Sequence, residues 1–129
     1  MTDQKQPAPA PRKVNLSAAF AGFSDTWSPK VAGDINDMQL KLVKLTGAFV
    51  WHHHEAEDEL FLVVNGRMRM CLRDGDVTVL PGEFIIIPRG VEHCPVAEED
   101  CEVVLLEPTT TSNTGNVREA RTVDKPERI

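Results

Sequence analysis

The feature that most constrains the fold is a series of short apolar runs between residues 36 and 108, each about as long as a β-strand. Several runs alternate apolar and polar residues, and turn-forming glycine, proline and aspartate separate them at intervals of roughly 8–12 residues. No amphipathic helical pattern interrupts the series, which argues against a parallel α/β fold. The pattern predicts about seven or eight short strands in one all-β sandwich or barrel.

The 129 residues, 41% of them hydrophobic and 26% charged, suit one folded domain with a single core. We predict a disordered leader at residues 1–13 and an N-terminal arm at residues 14–36. The barrel is predicted at residues 37–108, followed by a polar C-terminal tail at residues 109–129. The sequence leaves open whether this tail packs as an arm or stays mobile.

Charge and hydropathy argue against several classes of partner. The net charge of −6 disfavours binding to nucleic acid or to anionic lipid, and no apolar run approaches the length of a membrane span. The N-terminus lacks the apolar core of a secretory signal. The three cysteines contain no CxxC pair, and an odd number of thiols fits a reducing compartment, so we expect a cytoplasmic protein.

Three of the four histidines stand in a row within the segment WHHHEAEDELF. Because successive side chains of a strand point to opposite faces, His52 and His54 share a face and His53 points away. Two imidazoles at positions i and i+2 can chelate one first-row metal ion. The turn-like EAED would let a hairpin bring Glu59 alongside them, and His93 follows a second turn, PRG, far along the chain.

The alternative for the histidine row is a solvated strand edge without a ligand. A purification tag is excluded because the row is internal and is followed by acidic residues. We expect Glu55, Glu57 and Asp58 to form a solvated turn rather than to bind metal.

Two spacings carry a resemblance to a known family. The chain reads HxHx(4)Ex(6)G from His52 to Gly66 and Gx(5)PxGxxH from Gly82 to His93. These patterns resemble the two signature motifs of the cupin superfamily, and the resemblance covers residues 40–107. It implies an antiparallel jelly-roll β-barrel with short terminal arms. It also implies one divalent transition metal (Fe, Mn, Ni, Cu or Zn) inside the barrel, with these ligands: His52, His54, Glu59 and His93.

The resemblance leaves the reaction open. Strand parity predicts an apolar lining around the metal, made by Val50, Phe61, Met68 and Met70. The arginines of RMRMCLR have the opposite parity to the methionines, so no cationic cluster is expected to hold a phosphate. These features favour a metal-dependent oxygenase that acts on a small, largely apolar or aromatic molecule. The alternatives are a sugar or sugar-acid isomerase or epimerase, like the mannose-6-phosphate isomerase-like cupins, and a non-catalytic cupin that binds a small ligand.

Apolar residues are also predicted on the outside of the barrel. ELFLVV and FIIIP are apolar on both faces, and Phe49 and Trp51 share the outward parity of His53. The terminal segments or a second subunit would cover this surface. Since small single-domain cupins are commonly dimers, the resemblance favours a homodimer that buries Trp51.

Overall fold

The computed structural model describes residues 10–129, so residues 1–9 of the predicted leader lie outside the described part. One short helix precedes a set of strands in this order: α1 Leu16–Ala21, β1 Lys30–Ile35, β2 Met38–Ala48, β3 Glu59–Asn65, β4 Met68–Leu72, β5 Gly75–Val79, β6 Phe84–Ile87 and β7 His93–Pro108. Every strand pair is antiparallel. The predicted all-β class is therefore confirmed, and β1 adds a strand from within the predicted N-terminal arm.

The long strand β7 organises the sheet. On one side it pairs with β2 along residues 96–108, and on the other side it pairs with β4 at residues 93–96 and with β3 at residues 102–106. The hydrogen-bonded order is β1-β2-β7-β3-β6, and β4 connects β5 to β7. Because β3 and β4 take different parts of one side of β7 while β2 occupies the other side, the sheet curls around one interior. The result is a jelly-roll β-barrel.

The interior is filled by every second residue of the strands, as the period-two pattern predicted. In β3 the burial alternates, with Glu59, Phe61 and Val63 inside and the intervening leucines only partly buried. Met68 and Met70 of β4 are fully buried on the same side of the wall. These side chains belong to one apolar cluster that the remaining strands complete, including Val43, Leu45, Val103 and Leu105.

A second apolar cluster lies outside the barrel, beneath α1. The helix begins after Asn15, whose side-chain oxygen accepts a hydrogen bond from the amide of Ala18 at 2.9 Å, and it places Phe20 against the sheet. Phe20 is 1% exposed and packs with Leu42 and Val104 of the outer sheet face. Within residues 10–129, no helix has both the length and the apolar character needed to cross a membrane.

The C-terminal tail packs on the barrel as an arm. Its last residue is paired with β1, since the amide of Ile129 donates to the carbonyl of Val31 at 3.0 Å. Arg12 donates to the carbonyl of Ile129 at 3.0 Å and thereby joins the two termini. Thr114, in the middle of the tail, is fully buried. Of the two possibilities that the sequence left open, the packed arm is the one observed.

Candidate metal centre

The four predicted ligands come together at one end of the barrel interior. Glu59 is the first residue of β3 and His93 the first residue of β7. His52 forms an isolated bridge with His93, in which each backbone amide donates to the other carbonyl, at 3.0 and 2.9 Å. His54 follows two residues later. All four side chains are buried, and one ligand atom from each lies within 4.8 Å of the other three.

Backbone carbonyls fix the direction of two imidazole rings. Nδ1 of His52 lies 2.9 Å from the carbonyl oxygen of Val50, and Nδ1 of His93 lies 2.9 Å from that of Val91. A carbonyl can only accept, so each Nδ1 carries the proton and donates. The unprotonated Nε2 of each ring is then the atom available to a metal, as is usual for histidine ligands.

Three atoms of this cluster are buried without any hydrogen-bond partner among the described residues. They are Nε2 of His54, Nε2 of His93 and Oε1 of Glu59, and each nitrogen is 3.3 Å from that oxygen. A buried polar atom left unsatisfied costs about 1–3 kcal/mol, so such a group is rarely kept without a purpose. Three imidazole nitrogens and a carboxylate oxygen are suitable ligands for Fe, Ni, Cu or Zn. The cluster could therefore hold a divalent metal.

The protonation states that a metal requires are favoured by the surroundings. Burial, reinforced by the neighbouring His93, lowers the pKa of His52 to about 4, so this ring is neutral at neutral pH. Burial alone would raise the pKa of Glu59, but the adjacent rings of His54 and His93, each with a nitrogen 3.3 Å from the carboxylate, outweigh it and hold the pKa below its usual range. His52 therefore presents a neutral imidazole and Glu59 an ionised carboxylate without an added base.

His53 points out of the barrel, as its parity predicted. Its Nε2 lies 2.5 Å from a carboxylate oxygen of Glu55, which is exposed. The other acids of the turn also bind outside the metal cluster. Asp58 accepts from the backbone amide of Arg89, and Glu57 accepts from the hydroxyl of Thr110.

A small cavity opens beside His52 and Glu59, and its volume is about 30 Å³. Its walls are almost entirely apolar apart from Asn113 and the two ligands: Trp27, Pro29, Val43, Leu45, Phe49, Phe61, Pro95 and Leu105. Of the four residues that parity suggested as lining, Phe61 is a wall of this cavity, and Val50, Met68 and Met70 are not among its walls. Met68 and Met70 are fully buried in the same apolar core as Phe61. Parity identified the inward face but not how far each residue lies from the metal.

Phe49 requires a correction, because it lies inside rather than outside the barrel. Its ring stacks on Trp27 with centroids 4.5 Å apart, and it meets His52 edge-on at 5.5 Å. The parity argument failed here because β2 ends at Ala48, so residues 49–51 are not in a regular strand. Trp27, which has φ +58° and whose indole N–H donates to the carbonyl of Thr46, was missed in the sequence analysis. No local sequence pattern predicts this backbone conformation or this contact.

A buried ion pair behind Glu59 was also missed. Nζ of Lys41 on β2 is 3.4 Å from Oε2 of Glu107 on β7, and both side chains are at most 3% exposed. Burial and the nearby carboxylate of Glu59 raise the pKa of Glu107 well above its usual range. A signal existed in the sequence, because Lys41 and Glu107 share the inward parity of Val43 and Leu105 on their respective strands.

Residues 113–121 of the tail form a strap across the mouth of this end of the barrel. Oδ1 of Asn116 accepts from the amide of His53 at 2.8 Å. The guanidinium of Arg121 lies 4.7 Å from the ring of Phe49 and donates to the carbonyl of Ala48. Asn113 lines the cavity, while its amide bridges the backbone of Arg121 and Val123. The strap therefore contributes one wall of the cavity, through Asn113.

Replacing Gly115 in the strap with alanine should destabilise the fold and weaken metal binding. Gly115 has φ +57°, and a Cβ there would overlap the His53 carbonyl and lie 3.0 Å from Cδ2 of His52. We expect a loss of about 1–3 kcal/mol in the free energy of unfolding, measured in urea. Gly47→Ala is the matched control, since Gly47 has φ +75° but open space around it. Equal losses in the two variants would contradict the close contact with the ligands.

The comparisons with known proteins agree with this geometry. A family model described as the Cupin domain matches residues 41–108. A solved structure of a cupin-2 domain containing protein from Shewanella frigidimarina is 44% identical, with a TM-score of 0.73 over 74% of this chain and 93% of that chain. A solved structure from Neisseria meningitidis is 32% identical, with a TM-score of 0.70 over 76% of this chain and 100% of that chain.

Among curated proteins, the chain is similar to acireductone dioxygenase of Bacillus licheniformis. The two are 31% identical over 77 residues, which are 56% of this chain and 43% of that enzyme. The chain spans about half the length of the curated relatives that it matches. The family match across the barrel and the two solved structures show that the chain belongs to the cupin superfamily.

Proposed function

We propose that this protein is a metal-dependent enzyme of oxygenase type that acts on a small organic molecule. The observation that carries the proposal is the convergence of four buried ligand atoms, three of which have no partner among the described residues. The four side chains would hold the ion and leave room beside it for a molecule from outside the protein. A redox-active metal such as Fe(II), when bound, would supply the chemistry that lets O₂ react with an organic molecule.

The surroundings of the cluster support an apolar or aromatic substrate. The cavity wall nearest the ligands consists of Phe49, Phe61 and other apolar side chains. Arg69 and Arg73 face away from it, because Arg69 pairs with Asp76 and Glu98, and Arg73 pairs with Glu92. Arg121 does lie against the Phe49 wall, but its guanidinium is paired with Glu119. Among residues 10–129, no unpaired cation lies at the cavity to hold an ionised phosphate, whereas a small dione or phenol would pack against its apolar walls. The similarity to acireductone dioxygenase points to the same class of reaction.

A substrate needs more room than the cavity offers. A volume of 30 Å³ holds one or two waters, whereas a cavity that takes up benzene measures about 150 Å³. Asn113 forms one wall and belongs to the strap, which is held by a few hydrogen bonds rather than by a β-ladder. We propose that the strap swings aside to admit the substrate and then shields the reaction from water.

The test begins with protein purified without a nickel column. Its metal content is measured, the metal is removed with a chelator, and Fe(II), Mn(II), Ni(II), Cu(II) or Zn(II) is restored separately. Oxygen uptake is then followed with small diones and catechols. We expect uptake with a redox-active metal and none in His54→Ala. If every metal form binds but none consumes O₂, the oxygenase proposal is wrong.

An isomerase or epimerase that acts on a sugar acid is the second candidate. The reaction needs a base near the metal, and Glu107 lies beside Glu59. This candidate ranks second because Glu107 is not one of the described residues that line the cavity, and because its carboxylate is paired with Lys41. Isomerisation of a sugar acid by any metal form, followed by NMR, would reverse the ranking. Tight binding of small molecules without turnover would favour the non-catalytic alternative.

We also propose a homodimer, through the outer face of β3 and β6. Leu62 of β3 lies opposite Phe84 of β6, and Leu60 lies opposite Ile86. Phe84 is 60% and Ile86 52% exposed, although the same apolar face is buried under α1 at its other end. A second copy would cover it. The interface is placed here rather than at Trp51, whose ring stacks with Arg73.

Replacing both Phe84 and Ile86 with glutamate should therefore give a monomer. The charges would have to be buried without partners in the proposed interface. Sedimentation at micromolar concentration should show twice the chain mass for the unchanged protein and the single mass for the variant. Ile35→Glu, at a 56% exposed position on β1, serves as the control and should remain dimeric. A monomeric unchanged protein would refute the dimer.

A further inference from the structure

Two cysteines face each other across the paired strands β4 and β7, next to His93. Cys71 of β4 is paired directly with Cys94 of β7. Their neighbours Met70 and His93 are fully buried and face the interior, so both cysteines belong to the outer face of the barrel wall. The third cysteine, Cys101, is paired with Leu45 on β2 and lies apart from them. The barrel thus places one pair of free thiols side by side.

The spacing of this pair suits a disulfide. The backbone N–H and C=O of His93 both bond to His52. The N–H and C=O of the next residue, Cys94, therefore point in the opposite direction, toward Cys71 on β4. Residues that are opposite each other in such a hydrogen-bonded pair have Cα atoms about 5.5 Å apart. Disulfides span Cα separations of roughly 4.4–6.8 Å, so the bond can form with only a small adjustment of the strands.

The two thiols differ in a way that assigns their roles. Cys71 is partly exposed. Burial and Asp76 raise the pKa of its thiol, and the guanidinium of Arg69, with Nη1 3.4 Å from the sulfur, opposes them. Cys94 is only 5% exposed, and its sulfur lies 3.6 Å from the carbonyl oxygen of Phe49. An oxidant from solvent therefore meets Cys71 first, and Cys94 lies directly across the strand pair to react next.

We propose that Cys71 and Cys94 form a reversible disulfide on reaction with hydrogen peroxide. The Cys71 thiolate attacks one peroxide oxygen, the O–O bond breaks, and the products are a sulfenic acid on Cys71 and, after protonation, water. Cys94 then attacks the sulfenic sulfur, the S–O bond breaks, and a second water leaves with the thiol proton. Two thiols lose two electrons and peroxide is reduced to two waters. The new bond ties the residue after His93 to β4.

The test treats the metal-free protein with peroxide and maps its peptides by mass spectrometry. Burial raises the pKa of the Cys71 thiol, so the reaction is run for hours at mildly alkaline pH. We expect one linked peptide pair that contains Cys71 and Cys94, lighter by two hydrogens, and its separation by dithiothreitol. A bond between two chains, a bond to Cys101, or sulfinic acid on Cys71 without the link would each overturn the proposal.

Variants check the order of the steps. Cys94→Ser should accumulate a sulfenic acid on Cys71 that dimedone traps, because the second thiol is missing. Cys71→Ser should leave Cys94 unmodified over the same time. Cys101→Ala is the matched control, since Cys101 is buried and its pKa is raised to about 11 by burial, and it should form the link as the unchanged chain does. Dimedone on Cys94 instead of Cys71 would contradict the assigned roles.

Discussion

Replacing His54 or His93 with alanine should remove most of the bound metal. Each change deletes one of four ligand atoms that lie within 4.8 Å of one another and leaves no nearby side chain to replace it among the described residues. Loss of a residue that merely supports a ligand costs roughly 10–100-fold in metal affinity, so loss of a ligand should cost more. The measurement is metal per chain by mass spectrometry, followed by titration of the apoprotein.

His53→Ala is the matched control for this experiment. His53 lies between the two ligands in sequence, but its ring faces Glu55 on the surface. We expect its metal content and affinity to equal those of the unchanged chain. If both His54→Ala and His93→Ala retained full metal, the assignment of the centre would be wrong. If His53→Ala lost the metal with intact folding, the parity argument would be wrong.

Replacing Glu107 with leucine should cause the largest loss of stability among single substitutions outside the ligands. It leaves the ammonium of Lys41, 3% exposed, buried without its carboxylate. Breaking a buried ion pair from one side costs about 3–5 kcal/mol, because the remaining charge is neither solvated nor paired. Lys41→Met should cost less, since the pKa of Glu107 is already raised by burial and the carboxyl can become neutral. Urea denaturation of the apoprotein measures both.

The double variant, Lys41→Met with Glu107→Leu, separates the pair from its surroundings. It removes both charges and fills the space with apolar atoms, so it should recover most of the stability lost in Glu107→Leu. The exposed pair of Arg118 and Asp124 is the control, and Arg118→Ala should leave the urea midpoint unchanged. A Glu107→Leu midpoint equal to that of the unchanged chain would contradict the buried pair.

The fold and the ligands could be predicted because they depend on short-range patterns. Period-two alternation within a strand places Glu59, Phe61 and Val63 on one face, and this placement does not depend on how the strand pairs with others. The same alternation separates His53 from His52 and His54, where strand-like pairing is limited to the bridge between His52 and His93. His93 could be joined to them only through the resemblance of the two motifs, because the pairing of His52 with His93 is a tertiary contact.

The walls of the cavity could not be predicted in the same way. Parity holds only inside a strand, and residues 49–51 lie between strands, so Phe49 turned inward against expectation. Trp27 and Asn113 reach the cavity from the two arms, and nothing in the local sequence determines where an arm packs. Parity predicted the inward face for Met68 and Met70. Their position along the barrel axis depends on the register of β4 against β7, which is a tertiary contact.

The distribution of the ligands along the chain has a consequence for measurements of heat stability. His52, His54 and Glu59 lie within eight residues of one another, and only His93 depends on the fold to reach them. The denatured chain therefore keeps a local chelating segment of its own. A ligand raises the melting temperature only to the extent that it binds the native state more tightly than the denatured state. Tight metal binding should therefore raise the melting temperature by less than the affinity of the native protein for the metal implies.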